Sequence, residues 1–209
     1  MNAIVFLGIQ GSGKGTQAKL LAERLHYQHV NIGDLFRMHT AGQTELGLKV
    51  KSVIERGELV SDELVFEVIT GSITPDALGI VFDGFPRTAC QAEYLVQHYN
   101  VTDVIYLDLS EENALRRMTS RWHCPACKST YNTISQPPLQ AGICDHCGTA
   151  LVQRADDTPE AISQRFKEFF AQTYGLIDLF TSAGILRRVS AEGEIESIAA
   201  SINEILKHN

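Results

Sequence analysis

The feature that most narrows what this chain can fold into is the run Gly8-Ile9-Gln10-Gly11-Ser12-Gly13-Lys14-Gly15-Thr16. It follows a short apolar stretch, residues 3–7, and leads into a segment of helical composition from Lys14 to Leu25. A glycine-rich turn between a strand and a helix lets the backbone wrap an anion, so that several N–H groups and the positive helix end point at it. Lys14 adds a point charge for outer phosphates, and the Thr16 hydroxyl falls where it can sit near Mg²⁺. Gly11, Ser12, Gly13, Lys14, Gly15 and Thr16 are therefore the candidate phosphate cradle. Gly15 stands where the general motif has Ser or Thr after the lysine.

The rest of the chain has the rhythm such a loop requires. Residues 80–83, 103–109 and 185–189 read as further short buried strands, with helical patterns between them. That alternation predicts an α/β fold with a central parallel sheet flanked by helices. Ile195, Ile198, Ile202 and Ile205 give a last helix one apolar face. A long helix is expected from Thr158, with Pro159 in its first turn and Ile162, Phe166, Phe169, Phe170 and Ile177 on its buried side. Two stretches break the rhythm. Residues 31–60 read as a helical insertion, and residues 121–157 as a small subdomain rich in Pro, Gly and Cys. Residues 1–30, 61–120 and 158–209 then form the core.

The second strong signal is Cys124-x₂-Cys127-x₁₆-Cys144-x₂-Cys147, two knuckles at a spacing suited to a tetrahedral Cys₄ zinc site. Four thiolates close the metal shell, so the expected Zn²⁺ is structural; disulfides are the competing reading. His123 and His146 lie beside the thiols and read better as surface histidines. Cys90 stands apart.

With 18 Lys and Arg against 25 Asp and Glu, the formal charge is −7. That disfavours nucleic acid or an anionic membrane as the main partner, since both select a broad basic surface. The opening residues lack a basic segment and a small-residue cleavage site, and no stretch approaches the roughly 20 apolar residues of a membrane span. A cytoplasmic chain with reduced thiols is expected.

Gly13-Lys14-Gly15-Thr16-Gln17 closely resembles the phosphate loop of adenylate kinases. Gly33-Asp34-Leu35-Phe36-Arg37, Leu59-Val60-Ser61-Asp62-Glu63, and Asp83-Gly84-Phe85-Pro86-Arg87-Thr88 with Gln91 match further family segments in the family's order. Arg117, Arg121, Arg154, Asp156, Asp157 and Arg165 extend the match over nearly the whole chain. The resemblance implies a P-loop kinase with an NMP-binding insertion (31–60) and a zinc-bearing lid (121–157), moving a phosphoryl group from Mg-ATP to AMP to give two ADP. It implies Lys14, Arg87, Arg121, Arg154 and Arg165 as catalytic residues. The loop residues with Arg117 and Arg121 would take ATP. Ile32, Arg37, Leu59, Val60, Gly84, Arg87, Gln91, Arg154 and Arg165 would take AMP, and Asp83 would anchor the Mg²⁺ water shell. The family is commonly monomeric, so a monomer is expected. Asp156 and Asp157 read equally as caps of the following helix or as holders of the closed lid or of the metal's water shell.

Several positions depart from the family pattern. Gln10 replaces a proline of the loop, Ile32 a threonine near the acceptor base, Trp122 the second of two lid arginines, and Ser190-Ala191 an Asp/Asn-Gly turn near the ATP adenine. A catalytically weak nucleotide sensor and a zinc-ribbon protein acting on nucleic acid are the two competing classes. The second lacks the alternating basic and aromatic residues it would need around the knuckles.

Overall fold

The computed structural model of the protein describes residues 1–207. In chain order it contains β1 (Asn2–Leu7), α1 (Lys14–Leu25), β2 (Gln28–Asn31), α2 (Ile32–Ala41), α3 (Glu45–Glu55) and α4 (Asp62–Ser72). Then come β3 (Gly79–Asp83), α5 (Ala89–His98), β4 (Asn100–Asp108), α6 (Glu111–Thr119), β5 (Arg121–His123) and β6 (Thr130–Asn132). The chain closes with α7 (Pro159–Glu168), a π-helical turn Phe169–Thr173, α8 (Gly175–Ser182), β7 (Leu186–Ser190) and α9 (Ile195–Lys207).

Five strands form a parallel sheet in the order β2-β3-β1-β4-β7. Its inner strands are apolar runs because both faces are covered: all five residues of β3 are buried, as are the last five of β1. Phe6, Phe82, Phe85, Leu95, Ile105 and Leu107 are almost wholly enclosed between the sheet and its flanking helices. The chain builds β2 and β3 on one side of β1, then β4 and β7 on the other, so the strand order reverses at β1. Open α/β sheets bind ligands beyond the carboxyl ends of their strands at such a reversal, and the glycine loop leaves β1 there.

Strand β2 has no counterpart among the sequence expectations. It is an edge strand of composition Gln-His-Val-Asn with only Val30 buried, too polar and short for a periodicity signal. The long helix expected from Thr158 is instead α7 and α8 joined by the π-turn. Phe166, Phe169 and Ile177 are buried as expected, but Phe170 is 49% exposed. The wider turn rotates it outward, where its ring packs against Phe169 and Tyr174.

Residues 121–157 carry a core of their own. Cys124, Tyr131, Cys144 and Leu151 form a cluster separate from the main one, with Trp122 packed against it. Antiparallel β5 and β6 and three isolated bridges, including His123 with Val152 and Ile143 with Ala150, tie it together. Helices α2 and α3, by contrast, contribute Ile32, Phe36 and Val50 to the main core.

Candidate active site

The glycine loop is shaped by close approaches that a side chain would block. Gly11 has φ of 90°, and a Cβ there would lie 2.6 Å from the Ala114 carbonyl oxygen. A Cβ on Gly15 would come 3.2 Å from Asp83 Oδ2, so glycine after the lysine keeps room for that carboxylate. The Lys14 ammonium donates to the carbonyls of Gly8 and Ile9 at 2.6 and 2.9 Å. Burial lowers its pKa to about 8; Asp83 opposes the shift, and Arg87 and Arg121 add to it.

Asp83, the last residue of β3, is 5% exposed and lies beside Asn31, the last residue of β2, in the parallel register. Its Oδ2 accepts a short hydrogen bond from Asn31 Nδ2. The sequence reading passed over Asn31. An asparagine three residues before Asp34 is a visible helix-cap signal, but its contact with Asp83 depends on a strand that the composition hides.

Five arginines join Lys14 around the same cleft. Arg87 Nε donates to the Gly84 carbonyl at 2.8 Å, and the backbone carbonyl of Arg87 accepts from Thr173 Oγ1 at 2.9 Å, a contact supplied by the π-turn. Arg37, on α2, donates twice to Asp34 Oδ1, at 3.2 and 2.6 Å. Arg121 makes a two-pronged contact with Asp157 at 2.9 and 2.6 Å. Arg165 donates to Asp157 at 3.1 Å and closely to Asp156. Two looser pairs cross the cleft, Arg37 with Asp156 at 3.6 Å and Arg154 with Asp34 at 3.9 Å. Burial, then neighbouring guanidinium groups, lower Arg87 and Arg154 to about 10. These cations outnumber Asp34, Asp83, Asp156 and Asp157, so the site keeps positive charge to offer an anion. Asp156 and Asp157 do not cap α7. Thr158 does, accepting from the Ala161 N–H at 3.2 Å, and this leaves both aspartates to the arginines.

The cleft occupies about 1390 Å³ and reaches from the glycine loop to residues of the 31–60 and 121–157 segments. One small-molecule pocket takes roughly 300–1,000 Å³, so there is room for two ligands end to end. On the α6 side lies Arg117, whose Nη2 is 3.5 Å from the Gly193 carbonyl. Next to it the Ser190-Ala191 turn is fixed by the Ala191 N–H to the Asp108 carbonyl at 2.8 Å. On the α2 side lie Ile32, 2% exposed, and Leu59, Val60 and Gly84. Gln91 is buried there, and its amide is already engaged: Oε1 accepts from the Arg87 N–H and Nε2 donates to Asp62 Oδ1, both at 2.7 Å. One N–H and one lone pair of that amide remain for a ligand. Asp62, which also accepts from the Thr88 hydroxyl at 3.1 Å, was a further residue whose part the sequence did not reveal.

Away from the cleft core, the sulfur atoms of Cys124, Cys127, Cys144 and Cys147 all lie within 4.8 Å of one another, and all four are free thiols. Cys124–Cys147 and Cys127–Cys144 Sγ separations are 3.4 Å. A disulfide needs about 2.05 Å, whereas four sulfurs about 2.3 Å from one ion sit roughly 3.8 Å apart. The donor set therefore fits one tetrahedral Zn²⁺. Among the described residues neither His123 nor His146 joins the group. His123 Nδ1 is buried without a hydrogen bond.

A family model described as Adenylate kinase matches residues 6–185. The adenylate kinase of Brevibacillus brevis is 37% identical over 211 residues, spanning 98% of this chain and 99% of that one. That of Ruminiclostridium cellulolyticum is 39% identical, covering 97% and 98%, and that of Thermotoga maritima 40% identical, covering 99% and 97%.

Proposed function

The chain belongs to the adenylate kinase family, and from that premise we propose how its own residues carry the reaction. That reaction is the reversible, Mg²⁺-dependent transfer of the ATP γ-phosphoryl group to AMP, giving two ADP. The observation that carries the proposal is the convergence of Lys14, Arg37, Arg87, Arg121, Arg154 and Arg165 on one cleft from separate parts of the chain.

The phosphate loop, Gly11, Ser12, Gly13, Lys14, Gly15 and Thr16, holds the outer phosphates of ATP, while Arg117 lies over its base. Arg37 and Arg87 hold the AMP phosphate, with Gly84 leaving space for the Arg87 guanidinium. Ile32, Leu59 and Val60 pack against the acceptor base, and the remaining amide groups of Gln91 reach its edge. An anionic oxygen of the AMP phosphate attacks the γ-phosphorus. A P–O bond forms there as the bond to the β,γ-bridging oxygen breaks, and that oxygen leaves on ADP. No general base is needed, because the attacking oxygen carries no proton near neutral pH. Arg121, Arg154 and Arg165 exchange their carboxylate partners for the transferring group, where charge spreads in the transition state. Mg²⁺ bound with ATP would supply charge neutralisation at the phosphates, and Asp83 would hold its water.

Residues 31–60 act as the NMP-binding part and residues 121–157 as a lid. Cys124, Cys127, Cys144 and Cys147 hold one structural Zn²⁺. No helix among the described residues is long and apolar enough to cross a membrane, and the charge of −7 suits neither nucleic acid nor anionic lipid. The family supports ATP, AMP and ADP as the partners of a monomeric, cytoplasmic protein. The test is ADP formation from Mg-ATP with AMP, CMP, UMP and GMP. AMP is expected to be the best acceptor, and absence of turnover with all four would defeat the reading.

A further inference from the structure

Strands β2 and β3 end together, and their register sets Asn31 and Asp83 side by side at the cleft. Asn31 uses both ends of its amide. Oδ1 accepts the Asp34 N–H at 2.9 Å and so caps α2, while Nδ2 donates to Asp83 Oδ2. Among the described residues no other hydrogen bond reaches that oxygen. His29 Nε2, on the same face of β2, stays 3.9 Å away and makes no hydrogen bond. Gly15 keeps the approach open, since a Cβ there would crowd Asp83 Oδ2 at 3.2 Å. Asp83 Oδ1 receives no hydrogen bond from the described residues, and Asp83 lines the cleft.

We propose that Asn31 is a positioning residue for phosphoryl transfer, tying back Asp83 Oδ2 while capping α2, so that the metal-facing carboxylate and the helix carrying Arg37 share one frame. The inference rests on the role given to Asp83 above. Few side chains can do both jobs. Aspartate caps a helix but has no donor and would set a second negative charge beside Asp83, and serine caps but is too short to span the gap. A carboxylate fixed at one oxygen presents the other without searching rotamers, and such orientation is what transfer catalysis demands of the protein.

The simpler alternative is a helix cap and nothing more, and Asn31→Ser separates the two because it keeps the cap. In uniformly labelled, ligand-free protein, one Asn31 Nδ2 proton should exchange slowly with solvent and should lose that protection in Asp83→Ala. In steady-state assays Asn31→Ser should raise the Mg²⁺ concentration for half-maximal rate by roughly 3- to 10-fold, the scale of one ordinary hydrogen bond's net contribution. The KM for AMP should stay within about twofold, and in the Asp83→Ala background the same substitution should change the Mg²⁺ response no further, since the two residues act as a unit. An unprotected Asn31 amide, or an active enzyme whose Mg²⁺ response Asn31→Ser leaves unchanged or shifts equally in both backgrounds, would overturn the positioning role. Wild-type protein that forms no ADP at all would instead defeat the functional reading beneath it.

Discussion

Lys14 stands between two needs, since phosphate binding wants its charge and burial opposes it. With its pKa lowered to about 8, chiefly by burial, the ammonium loses its proton within reach of ordinary assay conditions. The protonated form is the one that grips phosphate, so rising pH removes it. We expect kcat/KM for ATP to be level below about pH 7.5 and to fall up to tenfold per unit above about 8, because that ratio reports the free enzyme. The limb for kcat should lie higher, because a bound phosphate raises the lysine pKa. Folding follows the opposite sign. The folded state releases this proton more readily than the unfolded one, so below about pH 8 the charge costs stability, and the cost fades as pH rises towards the unfolded value of 10.5. Lys14→Met should abolish transfer yet raise the ligand-free Tm at pH 7, by on the order of 1–3 kcal/mol in stability. Ile32 argues a different balance. Buried beside the proposed acceptor site, it offers packing where a hydroxyl would add a hydrogen bond worth roughly 0.5–1.5 kcal/mol. Ile32→Thr should lower the KM for AMP by about 2- to 12-fold with little change in kcat, leaving AMP the preferred acceptor. A variant that binds AMP more weakly would show that the isoleucine packing matters more. Gln91 marks the limit of reading such pockets from sequence: its chemistry was plain there, but not that Arg87 and Asp62 already occupy half of its amide.

Among the elements, the cysteine-bearing segment has the least to hold it together. Its cluster comprises Cys124, Tyr131, Cys144 and Leu151, and two of these are proposed metal ligands, so the apolar remainder is too small to order it alone. Protein purified without chelator should carry one zinc per chain. Removing it under reducing conditions should give an early melting step for residues 121–157 while the parallel sheet melts near its original temperature. A single unchanged transition after metal removal, or no zinc by elemental analysis, would contradict this. The same comparison explains which elements could be read in advance. Strands β1, β3 and β4 are apolar runs with turn residues at their ends, and both knuckles announce themselves by spacing. Strand β2 could not be read, because pairing with β3 rather than its own polar sequence makes it a strand. The π-turn was equally hidden. The stripe that includes Phe166, Phe169 and Phe170 fits a regular helix, and only the tertiary contact of Thr173 with the Arg87 carbonyl shows where that helix must widen.

Across the whole molecule, a chain of net charge −7 concentrates its spare positive charge in one cleft, which favours capture of polyanionic nucleotides over other ligands. Residues 31–60 and 121–157 meet over that cleft through Arg37–Asp156 at 3.6 Å and Arg154–Asp34 at 3.9 Å. Asp34 is well exposed, so its pair with Arg154 contributes about 0–1 kcal/mol and weakens with salt, whereas Asp156 is buried and its pair with Arg37 is screened less. Desolvation inside the cleft pushes the Asp156 carboxyl up, and that of Asp34 too although its side chain reaches solvent, but Arg37 and Arg154 at Asp34, and Arg165 and Arg37 at Asp156, bring both below their usual value. These ties therefore persist above about pH 4 and are not the acid-sensitive part of the molecule near neutrality. Screening, not protonation, should loosen them. A compact chain of this length has a radius of gyration of about 17 Å. Small-angle scattering on ligand-free protein should show that radius growing by on the order of 1 Å between low salt and about 0.5 M salt, where the screening length shrinks to about 4 Å, comparable with the span of these pairs. Asp34→Asn should produce the larger radius already at low salt, since it removes a partner of both Arg37 and Arg154. A bisubstrate analogue joining two adenosines through a polyphosphate should restore the compact form in every case, because its charges meet all the cleft cations at once. A radius indifferent to salt, to Asp34→Asn and to the analogue would mean that packing rather than these ion pairs sets the separation of the two insertions.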